Sequence, residues 1–255
     1  MTRVIKVGGR PQLDPALTTA LAAAHRATPG SLVVVHGGGD EVSTLQRLYG
    51  VAAEFKGGRR VTSRLDLDII RMALSGTANK RLVSALVAAG VPALGLSGED
   101  AALLSAKPLD ADQFGFVGVP AEVNSGLLHH LLAGGYLPVL SPVSRCTEPA
   151  EGLVLNVNGD DAAAAIAVAL EADELLLVSD VAGVLKDGLP LHALAPEDAL
   201  RLIDEGTAQG GMAAKLQAAL AALDGGVERV RISDIAAIEQ LDRGTVLTRV
   251  GSAIA

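Results

Sequence analysis

The stretch "SLVVVHGGGD", Ser31–Asp40, decides how the rest of the chain is read. Leu32–Val35 is an unbroken aliphatic run, which suits a strand covered on both faces better than one with a wet side. His36–Asp40 follows at once, and the residues beyond continue as a helix to about Tyr49. Three successive glycines at the end of a strand let backbone N–H groups approach an anion, and the helix N-terminus adds favourable partial charge. The alternative, a merely tight strand-to-helix turn, needs one glycine.

Reading outward, the same alternation recurs. Upstream, "RVIKVGGR" (Arg3–Arg10) holds a strand at Val4–Val7, followed by an alanine-rich helix around Asp14–Ala27, so the chain opens β-α-β-α. Downstream, strand signals fall at "VPALGL" (91–96), "YLPVLSP" (136–142), "GLVLNVN" (152–158), "ELLLVSD" (174–180), "ERVRIS" (228–233) and "TVLT" (245–248). Helices are predicted near Leu65–Ala89, Asn124–Ala133, Gly159–Leu170, Pro196–Glu205 and Met212–Leu223. Near-continuous apolar strands alternating with helices predict an α/β fold: an open, mainly parallel sheet sandwiched between helices. Two stretches break the rhythm. "FKGGRRVT" (Phe55–Thr62) and Ser97–Pro120 have the glycines and short strand-prone pieces of hairpins. The softest boundary, Leu170–Asp173, divides an expected N-terminal lobe, 1–170, from a smaller C-terminal lobe, 171–255.

Composition narrows the function. The 255 residues include only 2% aromatics, so packing relies on small aliphatic side chains. A formal net charge of −8 argues against nucleic acid and anionic membrane surfaces, which recruit clustered Lys and Arg. A small-molecule partner is expected instead. Cys146 is the single cysteine, which excludes an intrachain disulfide and a thiolate metal cluster and leaves a structural role. There is no signal-like segment and no charge-free run near the ~20 residues of a membrane helix, so a cytoplasmic protein is expected.

In a parallel sheet, ligands bind beyond the carboxyl ends of the strands, and the unusual residues fall there. Lys6 lies inside an apolar strand. Desolvating an ammonium costs several kcal/mol unless an anion compensates it, so either Lys6 snorkels out from an edge strand or its partner is an anionic ligand. "NVNGDDAAAA" puts Asn156 and Asn158 on one side of a strand end and Asp160 at a helix entrance. A helix cap accounts for Asp160 and a turn for one asparagine, but not for the pair. "GGMAAKLQAAL" places Lys215 in the first turns of an alanine-rich helix, where the plain alternative is an exposed surface lysine. The glycine turn also resembles the oxyanion loop of lipase-like hydrolases, but no G-x-S-x-G elbow follows; "GLSGED" has its glycine one place too early. A G-x-x-x-x-G-K-[ST] loop and the third glycine of a dinucleotide fingerprint are also missing.

Taken together these residues resemble the amino-acid kinase family, and within it the acetylglutamate kinases. The likeness runs through "KVGGR", "VVVHGGGD", "GRRVT", "MALSGTANKRLV", "GLSGED", "GYLPVLSPV", "NVNGDDAA", "LLLVSDVAGVL" and "GGMAAKLQAAL", in family order and spacing. "RVT" followed by "GTANK" is what points to the acetylglutamate branch rather than to aspartate, glutamate, carbamate or uridylate kinases. Glu99, Gly159 and Ala214 depart from the usual lysine, alanine and proline, and none of these changes removes a group that carries charge in the reaction.

The resemblance implies a carbamate kinase-like fold, and a reaction in which the side-chain carboxylate of N-acetyl-L-glutamate takes the γ-phosphoryl group of MgATP. It implies that Lys6 and Lys215 stabilise the moving phosphoryl group, that Asp160 orients both, and that Gly8 and Gly9 contact phosphate. For the amino-acid substrate it implies Gly38, Gly39, Arg60, Asn156 and Asn158, with Arg60 as a bidentate clamp on the α-carboxylate that lysine cannot reproduce; the neighbouring Arg59 is read as solvated. For ATP it implies Asp180, Val181, Ala182, Gly183, Val184 and Leu185, with Thr207, Ala208 and Gln209. His129 and His130 are expected to be structural or solvent-facing, and magnesium to be held chiefly by ATP. The nearest rivals are a kinase for acetylated or carrier-linked 2-aminoadipate and a catalytically silent nucleotide-binding regulatory module. Arginine-inhibited relatives carry a helix before the first strand that links dimers into a hexamer. With only Met1 and Thr2 ahead of the strand signal here, a homodimer indifferent to arginine is expected, centred on Leu65–Ala89.

Overall fold

A computed structural model describes residues 1–147, 154–186 and 188–248. The N-terminal half runs β1 (Arg3–Val7), α1 (Pro15–Ala27), β2 (Leu32–His36), α2 (Gly39–Leu48), the hairpin β3 (Phe55–Lys56) and β4 (Arg59–Arg60), and α3 (Arg64–Ile70). A π-helical stretch, Arg71–Ala78, joins α3 to α4 (Asn79–Ala88); β5 (Ala93–Gly98), β6 (Leu104–Pro108), α5 (Ala111–Phe114), β7 (Val117–Val123), α6 (Ser125–Ala133) and β8 (Leu137–Cys146) follow. The remainder is β9 (Val154–Val157), α7 (Gly159–Ala169), β10 (Glu174–Val178), the hairpin β11 (Leu185–Lys186) and β12 (Leu189–Pro190), α8 (Pro196–Asp204), α9 (Gly210–Asp224), β13 (Arg229–Ser233) and β14 (Thr245–Thr248).

Local chemistry sets the helix starts. Asp14 caps α1 ahead of Pro15, Asn124 caps α6, and Ser63 with Asp66 forms a reciprocal capping box on α3. Ten strands make one sheet, ordered β14-β13-β10-β1-β2-β8-β6-β7-β9, with β5 also paired to β8. The β13–β14, β6–β7 and β8–β9 pairs are antiparallel, and the rest are parallel. The sheet runs unbroken across the expected boundary near residue 170, because β1 pairs with β10 in register from Arg3↔Glu174 to Val7↔Val178.

Strand parity places the chemistry. Alternate residues of a strand face opposite sides of its sheet. Ile5, Val7, Leu32, Val34, Leu176 and Val178 pack beneath α1. Val4, Val33, Val35, Leu175 and Leu177 pack against α7 and α9 on the other side. Lys6, two residues beyond Val4, therefore faces α7 and α9.

The structure corrects several expectations. β1 lies between β10 and β2, so Lys6 is not on an edge strand and cannot snorkel past one. The helix expected over Leu65–Ala89 exists, but its centre is π-helical, and the strand expected at 136–142 continues to Cys146. Of the strand expected at 152–158, residues 154–157 are observed, and 152 and 153 lie outside the described residues. No helix among the described residues is long and apolar enough to cross a membrane.

Candidate active site

Three charged side chains meet where β1, α7 and α9 converge. Lys6 Nζ lies 2.8 Å from Asp160 Oδ1, and Lys215 Nζ lies 3.0 Å from Oδ1 and 3.2 Å from Oδ2. All three are buried. Burial pushes the Asp160 carboxyl up, but the attraction and hydrogen bonds of the two ammonium groups outweigh it and hold the group below its ordinary value. Burial, and then the neighbouring Lys6 charge, bring the Lys215 ammonium down to about 8 against the pull of Asp160. Two cations share one anion, so the cluster carries an unbalanced positive charge in a desolvated place.

The backbone explains how Asp160 gets there. Asn158, not Asp160, is the N-cap of α7: its Oδ1 accepts from the Asp160 N–H at 2.8 Å, which leaves the Asp160 carboxylate free for the lysines. A Cβ on Gly159 would stand 3.1 Å from Lys6 Cε, so the glycine makes room for the lysine stem.

Lys6 and Asp160 lie in the wall of a cavity of about 230 Å³, which Gly9, Gly37–Gly39, Arg59, Arg60, Asn156 and Asn158 also line; Lys215 sits behind Asp160 and does not line it. Gly38 has φ +152°, and a Cβ there would come within 2.7 Å of Leu74 Cδ2, so the turn requires glycine. Leu74 itself belongs to the π-helical stretch and forms part of the apolar wall. Gly8 does not line the cavity; its N–H points at Val178 O, 3.4 Å away. Asn156 donates from Nδ2 to Thr62 Oγ1 at 3.0 Å.

Arg60 arrives on β4 and is held by the protein's own acceptors. It donates to Ser43 Oγ (2.9 Å), Gly39 O (3.2 Å) and Gln46 Oε1, and its guanidinium sits 4.6 Å from the Phe55 ring centroid. Gln46 in turn donates to Asp66 Oδ1 at 2.5 Å, so the fork has a second tier of support. Arg59 is not solvated as expected. Strand alternation turns it the opposite way, and its Nη1 lies 2.7 Å from Asp161 Oδ2.

His36 and Asn79 escaped the sequence reading. The His36 ring is fully buried, with Nδ1 2.9 Å from Gly37 O and Nε2 3.0 Å from Asn79 Nδ2. Burial lowers its pKa to about 4, so the ring is neutral at pH 7; Nδ1 carries the proton and Nε2 accepts. Asn79 also donates to Val139 O at 2.9 Å and so ties the glycine turn to α4 and β8. Asn79 gave little signal, because it stands beside Lys80 and Arg81 in a helix where polar residues are ordinary.

The residues expected at ATP surround the end of β10 and the start of α9, and none lines the 230 Å³ cavity. Asp180 pairs with Arg10 at 3.3 Å. Val184 points into the core, while its N–H donates to Thr245 Oγ1 at 2.8 Å; Leu185 is exposed in its short hairpin. Gln209 occupies the N-cap position of α9, and its side chain donates to Gly206 O at 2.7 Å. His129 and His130 are exposed on α6. Among the described residues, no three His, Cys, Asp or Glu side chains are grouped to hold a metal ion.

Known proteins share this plan. The Amino acid kinase family matches residues 1–234. The acetylglutamate kinase of Chloroflexus aurantiacus is 45% identical over 247 residues, 96% of each chain. Among solved structures, the Streptococcus mutans protein smu.665 has a TM-score of 0.86 at 31% identity, covering 97% of this chain and 98% of its own. Carbamate kinase from Giardia lamblia has a TM-score of 0.73 at 18% identity, with 97% and 98% covered, a likeness of fold alone.

Proposed function

The chain belongs to the amino acid kinase family, and from that premise we propose that it phosphorylates the side-chain carboxylate of N-acetyl-L-glutamate with MgATP. The observation that carries this reading is the pair of buried ammonium groups on one carboxylate, of which Lys6 and Asp160 line a cavity that also holds the Arg60 guanidinium fork.

The chemistry follows from charge. A carboxylate is ionised near pH 7, so the nucleophile needs no general base. One of its oxygens bonds to the γ-phosphorus as the bond to the β–γ bridging oxygen breaks, and ADP leaves with that electron pair. The obstacle is bringing one anion to another, so catalysis rests on positioning and on cations beside the phosphoryl group. Lys6 and Lys215 supply the cations, and Asp160 keeps both pointed at the transfer. Their surplus positive charge is neutralised when the polyanion arrives. Gly38 and Gly39 offer N–H groups to the reacting carboxylate and Gly9 offers one to phosphate, while Gly8, its N–H turned to Val178 O, shapes the turn that presents Gly9. Arg60 clamps the α-carboxylate, and Asn156 and Asn158 face the acetylated amino acid.

In this reading residues 1–170 hold the amino-acid substrate, and residues 171–255 hold the nucleotide along Asp180–Leu185 and Thr207–Gln209. Magnesium enters with ATP and stays chiefly on its phosphates. Leu65, Met72 and Val87 are exposed along the helix from Arg64 to Ala88, which supports a homodimer joined there. A reaction that consumes MgATP belongs in the cytoplasm. An ADP-release assay with acetylglutamate, acetylaminoadipate, aspartate and glutamate side by side tests the substrate: acetylglutamate is expected to give the highest kcat/KM, and a faster acetylaminoadipate reaction would overturn the assignment.

A further inference from the structure

We infer that Arg59 and Asp161 form a positioning pair that sets the substrate-clamping arginine, an inference that rests on the reading of Arg60 given above. The β3–β4 hairpin has little to hold it. Its ladder is two residues per strand, Phe55 and Lys56 are exposed, and its turn residues Gly57 and Gly58 both have positive φ. Yet β4 presents two consecutive arginines, and consecutive residues of a strand point to opposite sides. Arg60 reaches α2, through Gly39 O and Ser43 Oγ, while Arg59 reaches Asp161 in the first turn of α7. Those two helices begin at the two sides of the cleft: α2 after the glycine turn, α7 at the residue before Asp160. The hairpin is thus a strap pinned at both sides. Its tip adds a third point, since a Cβ on Gly58 would lie 3.6 Å from Gly210 O at the start of α9.

The Arg59–Asp161 contact is built as an anchor rather than as a surface ion pair. Both side chains are mostly covered, at 25% and 18% exposure, so solvent screens the pair less than it screens a typical surface bridge. Arg59 Nη1 is buried without an aligned hydrogen bond, so attraction to the Asp161 carboxylate is what holds it. The same two residues form part of the wall of a second groove, and Arg59 also lines the main cleft, so it stands between the two. Releasing Arg59 therefore frees β4 to move toward that groove and takes the Arg60 fork with it. Asp161 does not line the main cleft and acts on it through Arg59.

The test uses Arg59→Gln, Asp161→Asn and the double variant, assayed with N-acetylglutamate and with its α-carboxamide analogue, which keeps the side-chain carboxylate but offers Arg60 no anion. Each single variant is expected to raise the KM for N-acetylglutamate about tenfold, with a smaller fall in kcat and no change in the KM for ATP. The double variant should cost no more than either single one, and the KM ratio of variant to wild type should approach one with the carboxamide. Arg59→Lys, which leaves Asp161 paired, should give an intermediate rise and covers the case in which a charge-removing variant fails to fold. An unchanged KM, an additive double variant, or an equal rise with the carboxamide would overturn the inference. A wild-type protein inactive with N-acetylglutamate would instead overturn the reading it rests on.

Discussion

The sheet carries a charged cluster at each end, and the two are built alike but finished differently. At the carboxyl ends of the strands, Asp160 is shared by Lys6 and Lys215. At the amino ends, Glu174 is fully buried against Arg3 (2.8 Å), Arg231 (2.5 Å) and Arg229 (3.2 Å). Both clusters have more cations than anions. In the Glu174 cluster most of the surplus donors find fixed acceptors: Arg3 donates to Ile238 O, and Arg231 donates to Ala237 O, Gln240 O and Arg243 O, while Arg3 Nη2 and Arg229 Nε have no aligned partner. Lys6 faces a cavity instead, and Lys215 lies just behind it on the shared carboxylate. The planar guanidinium of Arg231 reaches Glu174 and three carbonyl groups at once, whereas each ammonium group has the Asp160 carboxylate as its protein acceptor. The difference teaches that surplus charge alone does not mark a candidate site; surplus charge beside a cavity that glycine turns and further polar side chains also line does.

The comparison can be broken at either end. Lys215→Ala should lower kcat by about a thousandfold, in the range seen when a transition-state donor is removed, while circular dichroism and the thermal midpoint show a folded protein. An unchanged kcat would remove Lys215 from the reaction. At the other end, Glu174→Gln should leave three arginines facing each other and cost about 3 kcal/mol of stability in urea unfolding, with kcat of the folded protein near that of the wild type. If activity fell as far as stability held, the assignment of the two ends would be reversed.

Smaller effects sharpen the picture. Arg60→Lys keeps charge but loses the planar fork, and should raise the KM for acetylglutamate roughly tenfold without moving that for ATP. The lowered pKa of Lys215 gives the cleft a pH signature with two opposite slopes. As pH rises through about 8 the folded protein loses this cation, so kcat/KM should fall. Between about 8 and the ordinary lysine value of 10.5 the unfolded chain holds the proton that the folded one has released, so this group makes stability rise with pH. Lys215→Ala should abolish that stability slope. Paired pH series of rate and urea midpoint would check it.

Much of this was legible in the chain. Aliphatic runs such as Leu32–Val35 marked buried strands, and the glycines after them marked the end of the sheet where the cavity lies. Lys6 stood out because an ammonium in an apolar strand demands an explanation. What stayed hidden had no local signal. The π-helical turn at Arg71–Ala78 adds residues to a helix whose apolar pattern still reads as ordinary period. Arg59 and Asp161 are 102 positions apart, so nothing near either one announces the other. Asp160 was legible as a helix-entrance acid, but the cap belongs to Asn158, because only the backbone at Gly159 decides where the first turn starts.

The position of β1 between β2 and β10 has a consequence for how the protein is made. A ribosome delivers β1 and β2 early, but the strand that covers the other side of β1 ends at Val178. Until then the nascent chain carries an unpaired, apolar strand edge of the kind that recruits other chains. Pairings across so many residues carry a large loop-closure cost before they return any contact, which slows folding. The geometry that seats Lys6 in the middle of the sheet therefore makes completion of the fold a late event, for which most of the polypeptide must already exist.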